Sequence, residues 1–227
     1  MSIPPQHTER APRQLSTPRA AALAGVIFAA LFGTTLILIR TEMPEGIEDS
    51  TQWLDGRHNA ITTATVLMPF AGISFLWFIG VVRDGFGRYE DRFFVSVFLG
   101  SGLLFVAMMF VATAVAAGLA ASNADGTDTA AHAEVVHFGK MVVLSATKTY
   151  ALRMAAVFMI SLATIWLKTR LMPRWLAALS YILALALLIA GETSMWLTLA
   201  FPAWVFVVSG LILGRSGLIE QLRNHGD

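Results

Sequence analysis

The run RDGFGRYEDR (83–92) sets Arg83, Asp84, Arg88, Glu90, Asp91 and Arg92 between two long apolar stretches, NAITTATVLMPFAGISFLWFIGVV and FFVSVFLGSGLLFVAMMFVATAVAAGLAA. A hydrocarbon core about 30 Å thick is crossed by roughly 20 apolar residues rising 1.5 Å each. Both stretches reach that length. Charges this dense cannot rest in lipid, so the run fixes where the two helices meet water, and Gly85 and Gly87 supply its turn. The sequence from Asn59 to Ala121 therefore predicts a transmembrane helical hairpin, and the rest of the chain has to be compatible with a bilayer.

Composition agrees. The chain is 56% hydrophobic and 14% charged, with a mean hydropathy of +0.66, against about 25% charged for soluble proteins. A soluble fold is excluded, and several spans in 227 residues leave room for one membrane domain only. The absence of cysteine removes disulfides, thiolate metal sites and a cysteine nucleophile together. The formal charge of +1 comes from basic residues scattered at the ends of spans, with no stripe that would suit nucleic acid.

Taken in order, residues 1–19 hold four prolines with Arg10, Arg13 and Arg19 and predict a disordered basic tail. The domain predicted over 20–214 is all-α, a polytopic membrane helix bundle with spans at about 20–39, 60–82, 93–121, 149–167, 175–190 and 195–213, followed by a short polar tail over 215–227. The fourth span has an uncertain start, because Lys148 and Arg153 interrupt its apolar run. The simplest division places an interfacial segment over 133–147 ahead of it. In the first span Gly25, Ala29 and Gly33 recur every four residues, and in the last Gly210 and Gly214 do the same, so both predict faces for close helix packing.

Three groups of residues are candidates for chemistry. Pro69 lies in mid-span and takes away the donor that the Thr65 carbonyl would use, with Thr62, Thr63 and Thr65 just before it. Such a group can line a polar path, or the hydroxyls can serve the helix itself. His132, Glu134 and His137 lie close in sequence, with His58 and Asp55 in the other loop on the same side, and could hold a divalent metal. Residues five apart stand about 140° round a helix, so only Glu134 and His137 share a face. Arg153, one turn inside the membrane, is expected to form an ion pair with Glu192 in the tight turn before the last span. No cofactor is predicted beyond that metal. Walker loops, H-E-x-x-H pairs, G-x-S-x-G elbows and Gly-rich dinucleotide fingerprints do not occur, and no catalytic residue is assigned.

Along PFAGISFLWFIGVVRD and EDRFFVSVFLGSGLLF (69–84 and 90–105), the chain resembles small multi-pass membrane proteins of actinobacterial type to which no activity is assigned. The resemblance implies no activity and carries over no functional residue. Three functions stay open: a channel or small permease for ions or small solutes, a non-catalytic subunit or scaffold, and an outward-facing metal-dependent protein. The expected partners are the lipid bilayer and either further copies of the chain or a hetero-complex.

With six spans both termini lie on one side. If that side is the cytoplasm of a bacterial plasma membrane, it holds Arg10, Arg13, Arg19, Arg83, Arg88, Arg92, Lys168, Arg170, Arg174, Arg215 and Arg223 of the 16 basic residues. Its connections are short, the condition under which positive-inside asymmetry sets orientation. A reporter active only in the cytoplasm should therefore work when fused after Asp227 or between Gly85 and Gly87, and be silent near Gly126. The opposite pattern would reverse the orientation.

Overall fold

The computed structural model describes residues 17–42, 59–84, 92–122, 129–190 and 196–224, and all of these except 122 and 170–173 are helical. Helix α1 runs over Thr17–Glu42, α2 over Asn59–Asp84 and α3 over Arg92–Ala121. Helix α4, Thr129–Leu144, passes through a π-helical segment, Ser145–Ala151, into α5, Leu152–Thr169. Helix α6 spans Arg174–Ala190, and a 3₁₀ turn at Trp196–Leu199 leads into α7, Ala200–Asn224. Among the described residues five stretches are long and apolar enough to cross a membrane, and α6 is a shorter apolar helix.

Local chemistry sets several boundaries. Pro18 stands in the first turn of α1, where its missing N–H would have had no partner. Arg170 takes a left-handed backbone (φ 55°) and ends α5. The Pro173 carbonyl then accepts from the N–H groups of Leu176 and Ala177 at 3.1 and 3.4 Å, so this proline also starts α6. Pro202 falls inside the span expected over 195–213 and would kink a helix that began at 195. It lies instead in the first turn of α7, directly after the 3₁₀ turn, where the helix has no need of its N–H. The interfacial segment expected over 133–147 is not separated from the span by any break. One helical rod, uninterrupted from Ala131 to Thr169, includes both, because the π segment absorbs the change of register.

The rod formed by α4 and α5 is the centre of the bundle: 61% of its apolar stretch is buried, against 33–39% in the other long helices. Around it α1 packs on α2 and α7, α2 on α3, and α5 on α3 and α6. The core is aromatic. Phe28 of α1, Phe75 of α2, Phe105 of α3, Phe158 of α5 and Phe201 of α7 are all fully buried. Ring centroids lie 4.5 Å apart for Phe28 and Phe75, 5.3 Å for Phe75 and Phe158, and 4.7 Å for Phe105 and Phe201. Phe98 stacks on Phe158 at 4.5 Å. Each such pair is worth about 0.5–1.5 kcal/mol beyond area burial.

Polar hooks add to the aromatic contacts. Trp204 Nε1 donates to Ser180 Oγ at 2.8 Å, and that hydroxyl donates to the Leu176 carbonyl at 2.7 Å. This ties α7 to α6. The Thr164 and Tyr181 hydroxyls, 2.7 Å apart, tie α5 to α6.

The small-residue faces prove to be unequal. A Cβ on Gly25 would collide with Ser209 Oγ and lie 2.8 Å from the Phe78 ring, so here α1 meets α7 and α2 backbone to side chain. Ala29 is half-buried. Gly33, Gly210 and Gly214 have nothing within 4 Å of a built Cβ and make no close approach to the described residues. A four-residue step overshoots a full turn by about 40°, so a face that starts against a neighbour at Gly25 has turned away by Gly33. Close approaches that spacing did not indicate occur at Gly72 against Phe110, at Gly102 against Ile79 and Phe158, and at Gly139 against Leu119.

Gly25→Leu should consequently lower the melting temperature in detergent sharply, since overpacking costs about 1–3 kcal/mol or more. Gly33→Leu should melt like the parent protein. Equal losses in both variants would contradict the assigned packing face.

Candidate functional site

The hydroxyls near Pro69 are placed by the pitch of α2. Thr62, Thr63 and Pro69 lie on its outward, exposed face, and Thr65 is half-buried. Thr63 Oγ1 donates to the Asn59 carbonyl at 2.8 Å, and Thr65 Oγ1 donates to the Ile61 carbonyl at 2.9 Å. These side chains thus serve the preceding turn of their own helix, the back-bonding expected of threonine in an apolar setting. The inward face beside them presents Ile61, Ala64 and Met68, all buried. Deeper in the core, Met68 borders a cavity of about 10 Å³ lined with Phe28, Phe32, Gly72, Phe105, Val106, Met109 and Phe110. A water needs roughly 10–15 Å³ and several polar partners. A space lined like this one stays dry.

Buried hydroxyls elsewhere follow the same rule. Thr35 bonds the Leu31 carbonyl, Ser101 that of Val97, Thr113 that of Met109 and Ser161 that of Val157, all within 2.7–2.8 Å. Ser209 differs, for its Oγ is buried without a hydrogen-bond partner at the place where α7 approaches Gly25.

The histidine candidates lie on α4. Glu134 is exposed, while His132 and His137 are half-buried, with His132 Nε2 and His137 Nδ1 buried and without hydrogen-bond partners. Helical pitch turns the two rings away from each other, and among the described residues no three His, Cys, Asp or Glu side chains converge on a metal-sized space. His58 and Asp55 lie outside the described residues.

Arg153 is half-buried on α5, and its Nη1 donates to the Thr149 carbonyl at 3.1 Å. That carbonyl belongs to the π segment, in which the Leu152 N–H reaches back five residues to the Thr147 carbonyl. The guanidinium therefore supports the change of register. Glu192, the expected ion-pair partner, lies outside the described residues.

Two features of this region are not read from the sequence. One is the aromatic core, because phenylalanine in an apolar run gives no sign of facing protein or lipid. The other is the π segment, whose only signal is Lys148 and Arg153 interrupting a hydrophobic stretch.

Compared with known proteins, the chain matches no family model, no curated protein and no solved structure. The resemblance described above rests on its quoted residues alone.

Replacing a hydroxyl that bonds only its own helix should cost little, whereas removing one that a neighbouring helix needs should cost more. Thr65→Val should shift stability by no more than about 0.5 kcal/mol. Ser180→Ala should cost about 1–3 kcal/mol, because it leaves the buried Trp204 N–H without an acceptor. Thermal melts of both variants in one detergent check the difference.

Proposed function

We propose that the chain is a six-span protein of the bacterial plasma membrane, with both termini cytoplasmic, that serves as a non-catalytic subunit or scaffold of a membrane complex. The observation that carries this reading is the interior. Where a transporter would need a polar cavity at the middle of the bundle, this bundle holds Phe28, Phe75, Phe105, Phe158 and Phe201 in mutual contact. The outward surface supports the membrane setting: Phe70, Trp77, Phe93, Ile182 and Ile189 are all more than half exposed, as lipid-facing residues are.

One observation favours a second reading. The hydroxyl-bearing face of α2, with Pro69, looks outward, and a proline that removes a backbone donor is costly against lipid unless protein or water covers it. Any solute path in this protein would accordingly run between copies of the chain and not through one.

Purified protein reconstituted in liposomes should give no flux of protons, cations or small solutes above empty vesicles, and capture from native membranes in mild detergent should return a constant set of other membrane proteins. A flux that Thr62→Val and Thr63→Val reduce severalfold would overturn the scaffold reading in favour of the inter-copy path.

A further inference from the structure

The turn between α5 and α6 holds a backbone that its sequence does not favour. Arg170 stands at φ 55° and ψ 22°, and among the described residues it alone has a positive φ without being glycine. In that region a Cβ crowds the following carbonyl, which is why glycine commonly ends a helix this way. Side chains kept in left-handed backbone concentrate at functional sites and ligand clamps. What Arg170 has and glycine lacks is an exposed guanidinium.

The depth of the turn follows from the length of α6. Its 17 residues rise about 25 Å, and the apolar run stops at Gly191 and Glu192. A hydrocarbon core is about 30 Å thick, so a span this short draws its flanking residues inward. Arg174, its first residue, then lies at the level of lipid phosphates. Leu171 and Trp175 agree with that level. They are 42% and 54% exposed beside the two arginines, and exposed tryptophan is typical of a membrane interface.

The surroundings are positive. Lys168 Nζ sits 4.7 Å above the centre of the Phe94 ring, which puts the end of α5 beside the start of α3, where Arg92 is exposed. Helices α5 and α6 pack on each other, and packed axes lie about 8–10 Å apart, a gap that the side chains of Arg170 and Arg174 can close over one headgroup. Among the described residues neither guanidinium has a hydrogen-bond or ion-pair partner. The acid described at this surface, Asp84, ends α2, which packs on α1 and α3.

We propose that Arg170 and Arg174 form a binding site for the phosphate of an anionic lipid, at the membrane surface that the α5–α6 turn meets. Each guanidinium offers a planar fork of N–H donors that matches phosphate oxygens. The inference rests on the membrane reading of α5 and α6.

The test compares the parent with Arg170→Gly, Arg174→Gln, the double variant and, as a control in the last turn of α1 at the opposite surface, Arg40→Gln. Delipidated protein in neutral phosphatidylcholine nanodiscs is titrated with phosphatidylglycerol, and melting is followed with and without the anionic lipid, so that any change in basal stability cancels. Both leaflets of a nanodisc have the same composition, so the result does not depend on orientation. The parent should gain stability with phosphatidylglycerol. Each site variant should bind it about fivefold more weakly and the double variant about twentyfold, while Arg40→Gln should match the parent. Arg170→Gly separates the site from a purely structural role, because glycine suits the left-handed backbone: it should melt no lower than the parent in neutral discs and still lose lipid affinity. Equal lipid responses in all five proteins, or an equal loss in Arg40→Gln, would overturn the site. Inorganic phosphate giving the full effect in neutral discs would overturn it in favour of free phosphate. Glu90 and Asp91 lie outside the described residues; a parent that responds to the lipid only after Glu90→Gln and Asp91→Asn would show the arginines held by those carboxylates, and the proposal would fail. Recovery of the parent in the soluble fraction after a carbonate wash would overturn the membrane reading and the site together, whereas the other failures leave the membrane reading intact.

Discussion

Helices that already lie in a bilayer gain nothing by hiding apolar surface from one another, because lipid tails are as apolar as leucine. What holds them must be contact quality, and in this chain it is the ring contact among Phe28, Phe75, Phe105, Phe158 and Phe201. Dispersion between close-packed rings, with the edge-to-face geometry seen for Phe105 and Phe201, provides an attraction that lipid does not match. The close approaches at Gly25 and Gly102 are subordinate to it. They let the backbones come near enough for Phe78 and Phe158 to lie over them.

The long rod explains the remaining architecture. Its buried positions include Ala151, Ala155, Ala156, Ser161 and Ala163, side chains small enough for neighbours to pack close around it. Helix α3, at 30 residues, is the partner long enough to follow the rod beyond α5, and α4 packs on it with Gly139 close to Leu119 and Val143 clustered with Ala112 and Ala116. A separate small apolar cluster of Ile61, Ala112, Ala116, Val143 and Ala146 forms there. An unbroken helix could not keep both its α4 and α5 faces on α3 over that length without drift. The π segment lies between the two contact regions and resets the phase.

Membrane class was legible because it depends on run length and on where charges fall, and neither needs tertiary information. RDGFGRYEDR marked where two helices end. Facing was not legible. A soluble helix shows which side is inward by its polar residues, but Phe70 and Phe75 read alike in sequence although one is 57% exposed and the other fully buried. The same blindness accounts for Gly33, Gly210 and Gly214, whose spacing imitates Gly25 without its neighbours. Among the candidates for chemistry, Thr63 and Thr65 near Pro69 bond their own helix. For Arg153 the expected partner Glu192 lies outside the described residues, and the bond to the carbonyl four residues back was not foreseen, since nothing in the letters announces a π turn.

The distribution of ring contacts also bears on what motions the bundle allows. Alternating access needs a seam along which two groups of helices rock, and such seams are bistable because few contacts tie the halves together. Here Phe75 touches rings from α1, α3, α5 and α7, and Phe201 touches rings from α1, α2, α3 and α5. Every way of dividing these five helices into two moving halves pulls several stacked or edge-to-face pairs apart at once. At about 0.5–1.5 kcal/mol each, before any cavity cost, the opened state would be poorly populated. Rigidity of this kind suits the proposed role of holding other components in place, and it leaves the hydroxyl face of α2 outside the tied core.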